Sequence, residues 1–299
     1  MTGGSSPLGR RVREILEADP EVEHVRGVEP SPGRGVVSGE ELDFVSFVPD
    51  HRPFAEYLAK GEIDAVIQCG LRADAREADV IPTLCLGAAI GHEPSPVRSW
   101  IVASSSLIYP IDSHSPLLQR ESQELPRGEE TLAASLAEAE RYARDLAHRM
   151  PHVNVAILRL QQLVGVGTRG PLAALLARPG VPTPIGFDPA IQLLHLEDAA
   201  SAMAFAARRE LAGVYNVASK GLLHWHDAIR ATGHARLPFL PMSVAMLEPL
   251  LERIGLPFVP AALLDLLRFG HVVDTAKLER EGWAPAYDQL DCLSLLREG

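Results

Sequence analysis

The chain predicts an α/β fold: a doubly wound parallel sheet with a smaller, partly helical C-terminal lobe. Three observations carry that expectation. Short runs rich in valine and isoleucine alternate with helical patterns through roughly the first two-thirds of the 299 residues, the signature of βαβ units. A glycine-bearing turn opens the chain and runs straight into a helix. After about Gly165 the pattern loosens into segments punctuated by proline and glycine, then into a leucine-rich stretch from Val244 to Phe269.

The elements follow in order. Strands are expected at His24 to Val28, Phe44 to Val48, Ala65 to Cys69, Ser99 to Ala103 and Asn154 to Leu158. Helical spacing marks Arg10 to Ala18, Phe54 to Lys60, Val80 to Ile90 and Leu132 to Met150. The first domain is placed at residues 1–165 and the second lobe at 166–299, interleaved with the first because no repeat or low-complexity linker separates them.

Composition narrows the function classes. A net charge of −11 disfavours broad contact with a phosphate backbone, so nucleic acid is not an expected partner. No stretch of about eighteen apolar residues and no leader pattern occurs, so no membrane contact is expected. Cys69, Cys85 and Cys292 lie far apart in apolar contexts, which suits buried thiols in a cytoplasmic protein and provides no metal-ligand spacing.

The opening turn, Thr2-Gly3-Gly4-Ser5-Ser6-Pro7-Leu8-Gly9, is the strongest chemical signal. Glycines there permit positive φ and close approach of a pyrophosphate to a helix N-terminus, whose free N–H groups favour anions. Glu29 falls twenty residues after Gly9, at the end of the next expected strand, where a carboxylate would hydrogen-bond a ribose diol. That favours NAD over NADP, although Arg10, Arg11 and Arg34 keep NADP open.

The order of TGGSSPLGRR, VEP, VPD, AVIQCG, SSSLIYP, ILRLQQLVGVG, LLHLEDAASAM, GVYNVAS and DTAKLEREGWAP resembles that of the extended short-chain dehydrogenase/reductases, the NAD-dependent epimerase/dehydratase family. The resemblance spans nearly the whole chain. It implies a Rossmann-type domain with a substrate lobe, cofactor contacts at Gly3, Ser6, Gly9, Glu29, Asp50, Cys69 and Gly70, and substrates that are often nucleotide sugars. It also implies that Asp198 and Asn216 hold the lobe together, by helix capping and turn bonding respectively.

Three departures qualify it. The family's middle glycine is Ser6 here, which crowds the pyrophosphate unless its hydroxyl donates a compensating bond; NAD or NADP is then bound weakly or not at all. The apolar strand that normally precedes the turn is missing, so either Met1 is an interior strand residue with the natural start upstream, or the sheet is rearranged.

Third, the family's Tyr-x-x-x-Lys proton-transfer pair is gone. Aligning the family's following glutamate with Glu140 puts Leu132 and Leu136 at the tyrosine and lysine positions, and none of the five tyrosines has a lysine four residues on. Leu132, Leu136, Ala139, Ala143 and Leu146 form one apolar stripe, with Glu140 and Arg144 spaced to pair on another face. Ser105 remains at the family's substrate-serine position as a remnant of the catalytic set, with Tyr109 and Tyr142 the nearby phenols. His224-Trp225-His226-Asp227 could suggest a metal, but the resemblance makes it the start of a helix. Arg169, Arg178 and Arg268 fall in segments that resemble the substrate lobe and could hold a diphosphate, but surface arginines usually do not, and they are not assigned to the site.

The leading expectation is therefore a nucleotide-binding epimerase/dehydratase-like protein that has lost standard redox catalysis and serves as a sensor, an assembly partner or a non-redox catalyst. The alternatives are an active NAD(P)-dependent epimerase, dehydratase or reductase with a substituted acid–base group, and an interaction protein without cofactor. A nucleotide or small molecule is the expected partner, and a homodimer through the family's paired helices is the expected assembly.

Overall fold

The structure is a computed structural model that describes residues 1–28, 51–70, 80–126, 131–240 and 261–296. The strand expected at Phe44 to Val48, the residues Glu29, Arg34 and Asp50, and residues 244–260 of the leucine-rich stretch lie outside the described residues.

The first half alternates as its apolar pattern dictates: α1 (Pro7–Glu17), α2 (Arg52–Lys60), β1 (Ala65–Gln68), α3 (Val80–Ile90), β2 (Ser99–Ser105), α4 (Leu132–Arg149) and β3 (Asn154–Leu160). The chain then leaves for a second group of elements. Strand β4 (Gln162–Gly165) pairs antiparallel with β5 (Thr168–Arg169), and α5 (Pro171–Leu176), β6 (Gly180–Pro184), β7 (Ala190–Ile191) and β8 (Leu193–His195) follow. It returns through α6 (Leu196–Arg208) and β9 (Gly213–Val217), then completes the second group with β10 (Leu223–His224), α7 (Trp225–Thr232), β11 (Ala235–Phe239), α8 (Ala261–Phe269), α9 (Ala276–Arg280) and α10 (Gln289–Ser294).

The main sheet has the order β1-β2-β3-β9, every neighbour parallel. Side chains alternate across it with period two. Ile67, Ile101, Ala103, Ala156 and Leu158 face α1 and α6, whereas Val66, Trp100, Val102, Val155 and Ile157 face α2, α3 and α4. Helices on both faces explain why these strands read as continuous apolar runs. Gly87 lets α3 and α4 approach closely, because a Cβ there would collide with the ring of Tyr142. The second group packs its own core around Trp225, Leu175, Leu176, Leu193, Leu267 and Cys292.

At the place of the strand that normally precedes the turn, the sheet carries Met1 and Thr2. Thr2 bridges Val28 on one side and Gln68 on the other, both in parallel. Its N–H donates to Ile67 O (2.9 Å), and Cys69 N–H donates back to Thr2 O (2.9 Å). Val28 N–H donates to Met1 O (2.7 Å) and the Met1 ammonium to Arg26 O (2.6 Å). Met1 and Thr2 thus occupy the central position of a doubly wound sheet. Beyond them, between residues 21–28 and residues 62–67, lies a groove of about 350 Å³. This groove also explains why His24 to Val28, expected as a strand, is extended but bridged only at Val28.

Candidate nucleotide-binding and catalytic site

The N-terminal turn is built by steric necessity. Gly3 has φ +69°, and a Cβ on it would lie 2.6 Å from the Gly70 nitrogen. A Cβ on Gly9 would collide with Gly3 O. Only glycine satisfies either position, and the bare backbone left behind is what a pyrophosphate needs to approach a helix end. Ser6 is the N-cap of α1, with its Oγ accepting from Gly9 N–H (3.0 Å) and donating to Gly3 O (2.7 Å). The hydroxyl therefore braces the turn from within and is not turned outward to compensate a ligand. Pro7 supplies no N–H, and no acidic residue stands in the first turn to offset the positive end of the helix dipole. Cys69 points its thiol into the core, so the Cys69-Gly70 segment faces Gly3 with backbone. Of the expected cofactor contacts, Gly3, Ser6, Gly9, Cys69 and Gly70 converge on this turn, while Glu29 and Asp50 lie outside the described residues.

Ser105 ends β2, two strands from Thr2 across the same C-terminal edge of the sheet. It is half-buried and its Oγ caps the following turn of 3-10 helix, accepting from Leu107 N–H (3.2 Å). Its neighbours are committed to the interior: Ser104 Oγ donates to Glu140 Oε1 (2.6 Å) and Ser106 Oγ to Gln161 Oε1 (2.8 Å).

On α4, Thr131 caps the helix N-terminus through Ala134 N–H (3.2 Å). Leu136 is buried in a cluster with Ile108, Tyr109, Ala137, Ala218 and Val273, and Leu132 packs on its rim. The stripe divides, since Ala143 and Leu146 join the core beneath the sheet. Burial of Leu136 contributes about 1.5–3 kcal/mol, and an ammonium without a partner would not be tolerated in its place.

The nearby phenols are both committed. Tyr109 is buried, accepting from Arg159 Nη1 (2.7 Å) and donating to Asn216 Oδ1 (2.7 Å). Burial pushes its pKa up, against the opposing pull of Arg159. Tyr142 donates to Leu84 O (3.3 Å) between α3 and α4, and burial raises its pKa as well.

The sequence expectation for Glu140 is corrected by what it touches. Arg144 does reach it, at 3.2 Å, but Glu140 is buried and its closer partner is the fully buried Arg159, whose Nη2 lies 2.7 Å from Oε2 and whose Nε lies 3.0 Å from Oε1. Burial works against the Arg159 charge, yet its hydrogen bonds to Glu140 and the attraction of that carboxylate together outweigh it and leave the guanidinium more basic than usual. Sequence reasoning missed this pair; its signal is the single arginine inside the apolar run Ile157-Leu158-Arg159-Leu160.

Asp198 and Asn216 hold the lobe as expected but by other means. The N-cap of α6 is His195, not Asp198. Buried Asp198 instead accepts from Ser219 Oγ (2.7 Å) and Ala286 N–H (2.7 Å), joining α6 to the C-terminal segment. Asn216 lies within β9, not in a turn, and donates to Gln119 O and Asp274 O (3.2 Å each). His224-Trp225-His226-Asp227 begins α7, with His226 3.5 Å from Asp188, and no cluster able to hold a metal occurs among the described residues. Arg268 lies over the rings of Phe187 and Phe269. A group that sequence reasoning overlooked is His271, which is buried near Tyr109 with neither ring nitrogen bonded in the described structure; burial lowers its pKa to about 4.

A doubly wound parallel sheet with a glycine-braced helix N-terminus at its C-terminal edge defines a nucleotide-binding α/β protein. The model of the NAD dependent epimerase/dehydratase family matches residues 1–218. The chain belongs to that family. An uncharacterized protein of Mycobacterium tuberculosis is 29% identical over 306 residues, covering 97% of this chain and 81% of its own length. The dTDP-glucose 4,6-dehydratase of Bacillus anthracis, solved in complex with NAD, has TM-score 0.71 at 13% identity and covers 99% of this chain and 94% of its own. A human epimerase family protein solved with NADPH has TM-score 0.69 at 16% identity, covering 100% and 98%. The fold is that of NAD- and NADPH-bound epimerases and dehydratases. No described helix is long and apolar enough to cross a membrane.

Proposed function

We propose that this protein binds NAD or NADP at the Gly3-Ser6-Gly9 turn but does not run the redox cycle of its family, serving as a nucleotide-dependent sensor, an assembly partner or a catalyst of a non-redox reaction. The described turn fits a dinucleotide: two positions admit no Cβ, and the helix end carries no carboxylate. Bound there, the cofactor would supply hydride chemistry. The chain's own part in that chemistry is a proton donor beside Ser105, and that part does not fit. The observation that carries the proposal is the packing of Leu136, which fills the position resembling the family's lysine with buried hydrocarbon.

Calorimetric titration of the full chain with NAD(H) and NADP(H) tests the binding half. Heat and a raised unfolding temperature are expected; their absence at millimolar nucleotide leaves the interaction protein without cofactor. Incubation with nucleotide sugars and small ketones, following nicotinamide absorbance, tests the other half, and steady turnover would refute it. A second reading, an active epimerase, dehydratase or reductase with a substituted acid–base group, draws support from the half-exposed Ser105 and from the lobe joint at Asp198.

A further inference from the structure

The opposite, N-terminal edge of the sheet carries a second concavity. It measures about 910 Å³ and is walled by the C-terminal end of α4, the first residues of β3 and β9, the loop at 120–122 and α9. Along β3 the lining reaches Ile157, three residues short of Leu160, which pairs with Ser105 at the other edge, a separation of roughly 10 Å. In a chain of net charge −11, this one depression gathers Arg120, Arg144, His148, Lys277 and Arg280.

The carboxylates at hand do not neutralise them. Asp274 is paired with Arg120 (3.2 Å) and also accepts from Ala276 N–H (3.1 Å). Glu121 accepts from the Asn216 N–H (2.9 Å). Beneath the pocket, the single charge of Glu140 is shared by two guanidiniums, and Arg159 holds the shorter contact. Lys277 and Arg280 make hydrogen bonds only to carbonyls, Val214 O at 2.7 Å and Ala276 O at 3.1 Å, with no carboxylate partner among the described residues. The Arg144 Nε is buried without an acceptor, a costly state for a cationic donor. Two positive charges therefore stand in excess around the pocket before His148 is protonated.

We infer that this pocket is a binding site for a small phosphate-bearing polyanion, with Lys277 and Arg280 as the principal charges. Forked guanidiniums and an ammonium converging in a concavity suit a di- or triphosphate better than a monovalent ion. A concave pocket, unlike a basic stripe, does not suit a nucleic-acid backbone. The site is independent of the N-terminal turn, and it stands whether or not NAD binds there.

Titration calorimetry at low ionic strength, using inorganic pyrophosphate and ATP as probes against the full chain, tests the assignment. Saturable binding of pyrophosphate or ATP is expected, weakened at least about tenfold in a Lys277→Gln/Arg280→Gln variant. Because Lys277 also holds β9, Arg280→Gln alone is the second variant; it should weaken binding by a few fold without moving the unfolding temperature of the free protein. Stronger binding of ATP than of pyrophosphate supports an organic phosphate, and equal binding an inorganic one. No saturable heat with either probe overturns the inference. So does an affinity equal in wild type and both variants, which would place the binding at the N-terminal turn. Tighter binding of poly-glutamate than of pyrophosphate would overturn the phosphate class in favour of an acidic protein segment.

Discussion

The groove behind Met1 leads to the most demanding prediction: an apolar segment of four residues, such as Val-Val-Leu-Val, fused ahead of Met1 should stabilise the fold. In a parallel ladder alternate residues turn both backbone groups toward the same neighbour. Thr2 bonds Ile67 and Cys69, so Ala65 offers its N–H and C=O, and Ile67 its N–H, to the groove. On the other side Val28 and Arg26 bond Met1, which leaves the Arg26 N–H and His24 C=O facing the same space. Five backbone groups completed at about 1 kcal/mol each give about 5 kcal/mol. Four apolar side chains meeting Leu16, Val25, Phe54 and Leu58 along the groove add about 6–8 kcal/mol. Ordering four residues costs about 4–8 kcal/mol of backbone freedom and about 2–3 kcal/mol of side-chain freedom. The net gain is about 3 kcal/mol, a rise of about 5 °C or more in unfolding temperature. Differential scanning calorimetry of the extended chain, beside one carrying Gly-Ser-Gly-Ser at the same place, reads the difference. Hydrogen exchange should slow at the Arg26 and Ala65 amides in the apolar chain alone. Equal unfolding temperatures for the two extensions would refute the reasoning.

Other perturbations probe the buried polar groups. His271 has a folded pKa of about 4, below the ordinary 6.5, so the unfolded chain binds more protons between those values and stability must fall as pH drops from about 6.5 to 4. The loss is about 3 kcal/mol from this group, His195 adds to it in the same direction through its own burial, and denaturant titrations should show a flatter profile in His271→Leu. Leu136→Lys should destabilise by about 3 kcal/mol or more, because its ammonium would enter an apolar cluster; chemical denaturation checks this, and a neutral outcome would mean that a cleft stands open beside Leu136. Glu140→Gln strands the Arg159 charge and should cost about 3–5 kcal/mol. A loss below about 1 kcal/mol in urea titration would show that pair to be solvated.

What the sequence disclosed and what it concealed divide along one physical line. Periodicity is a local property, so Ala65–Gln68, Val80–Ile90 and the start of α4 at Leu132 emerge within a residue or two of their expected limits. The Gly3 and Gly9 requirement is equally local, since each glycine is forced by backbone atoms of one turn and its neighbour strand. Pairing across distance is not local. Glu140 looked like the partner of Arg144 because four residues on a helix are always adjacent, and nothing in the helix pattern announces a strand arginine pointing at the same carboxylate. The cation pocket shows the same blindness on a larger scale, assembled from a loop, α4 and α9 that are remote in sequence. Yet the two are physically continuous: Arg144 joins the pocket to Glu140, Glu140 joins Ser104 and Arg159, Arg159 joins Tyr109, and Tyr109 joins Asn216. The phenol nearest Ser105 in sequence is thus held as the end of a buried ionic chain, where burial raises its pKa and both of its hydrogen-bonding roles are taken. A tyrosine so fixed cannot swing to a substrate at Ser105 without stranding Arg159 and Asn216 in the core.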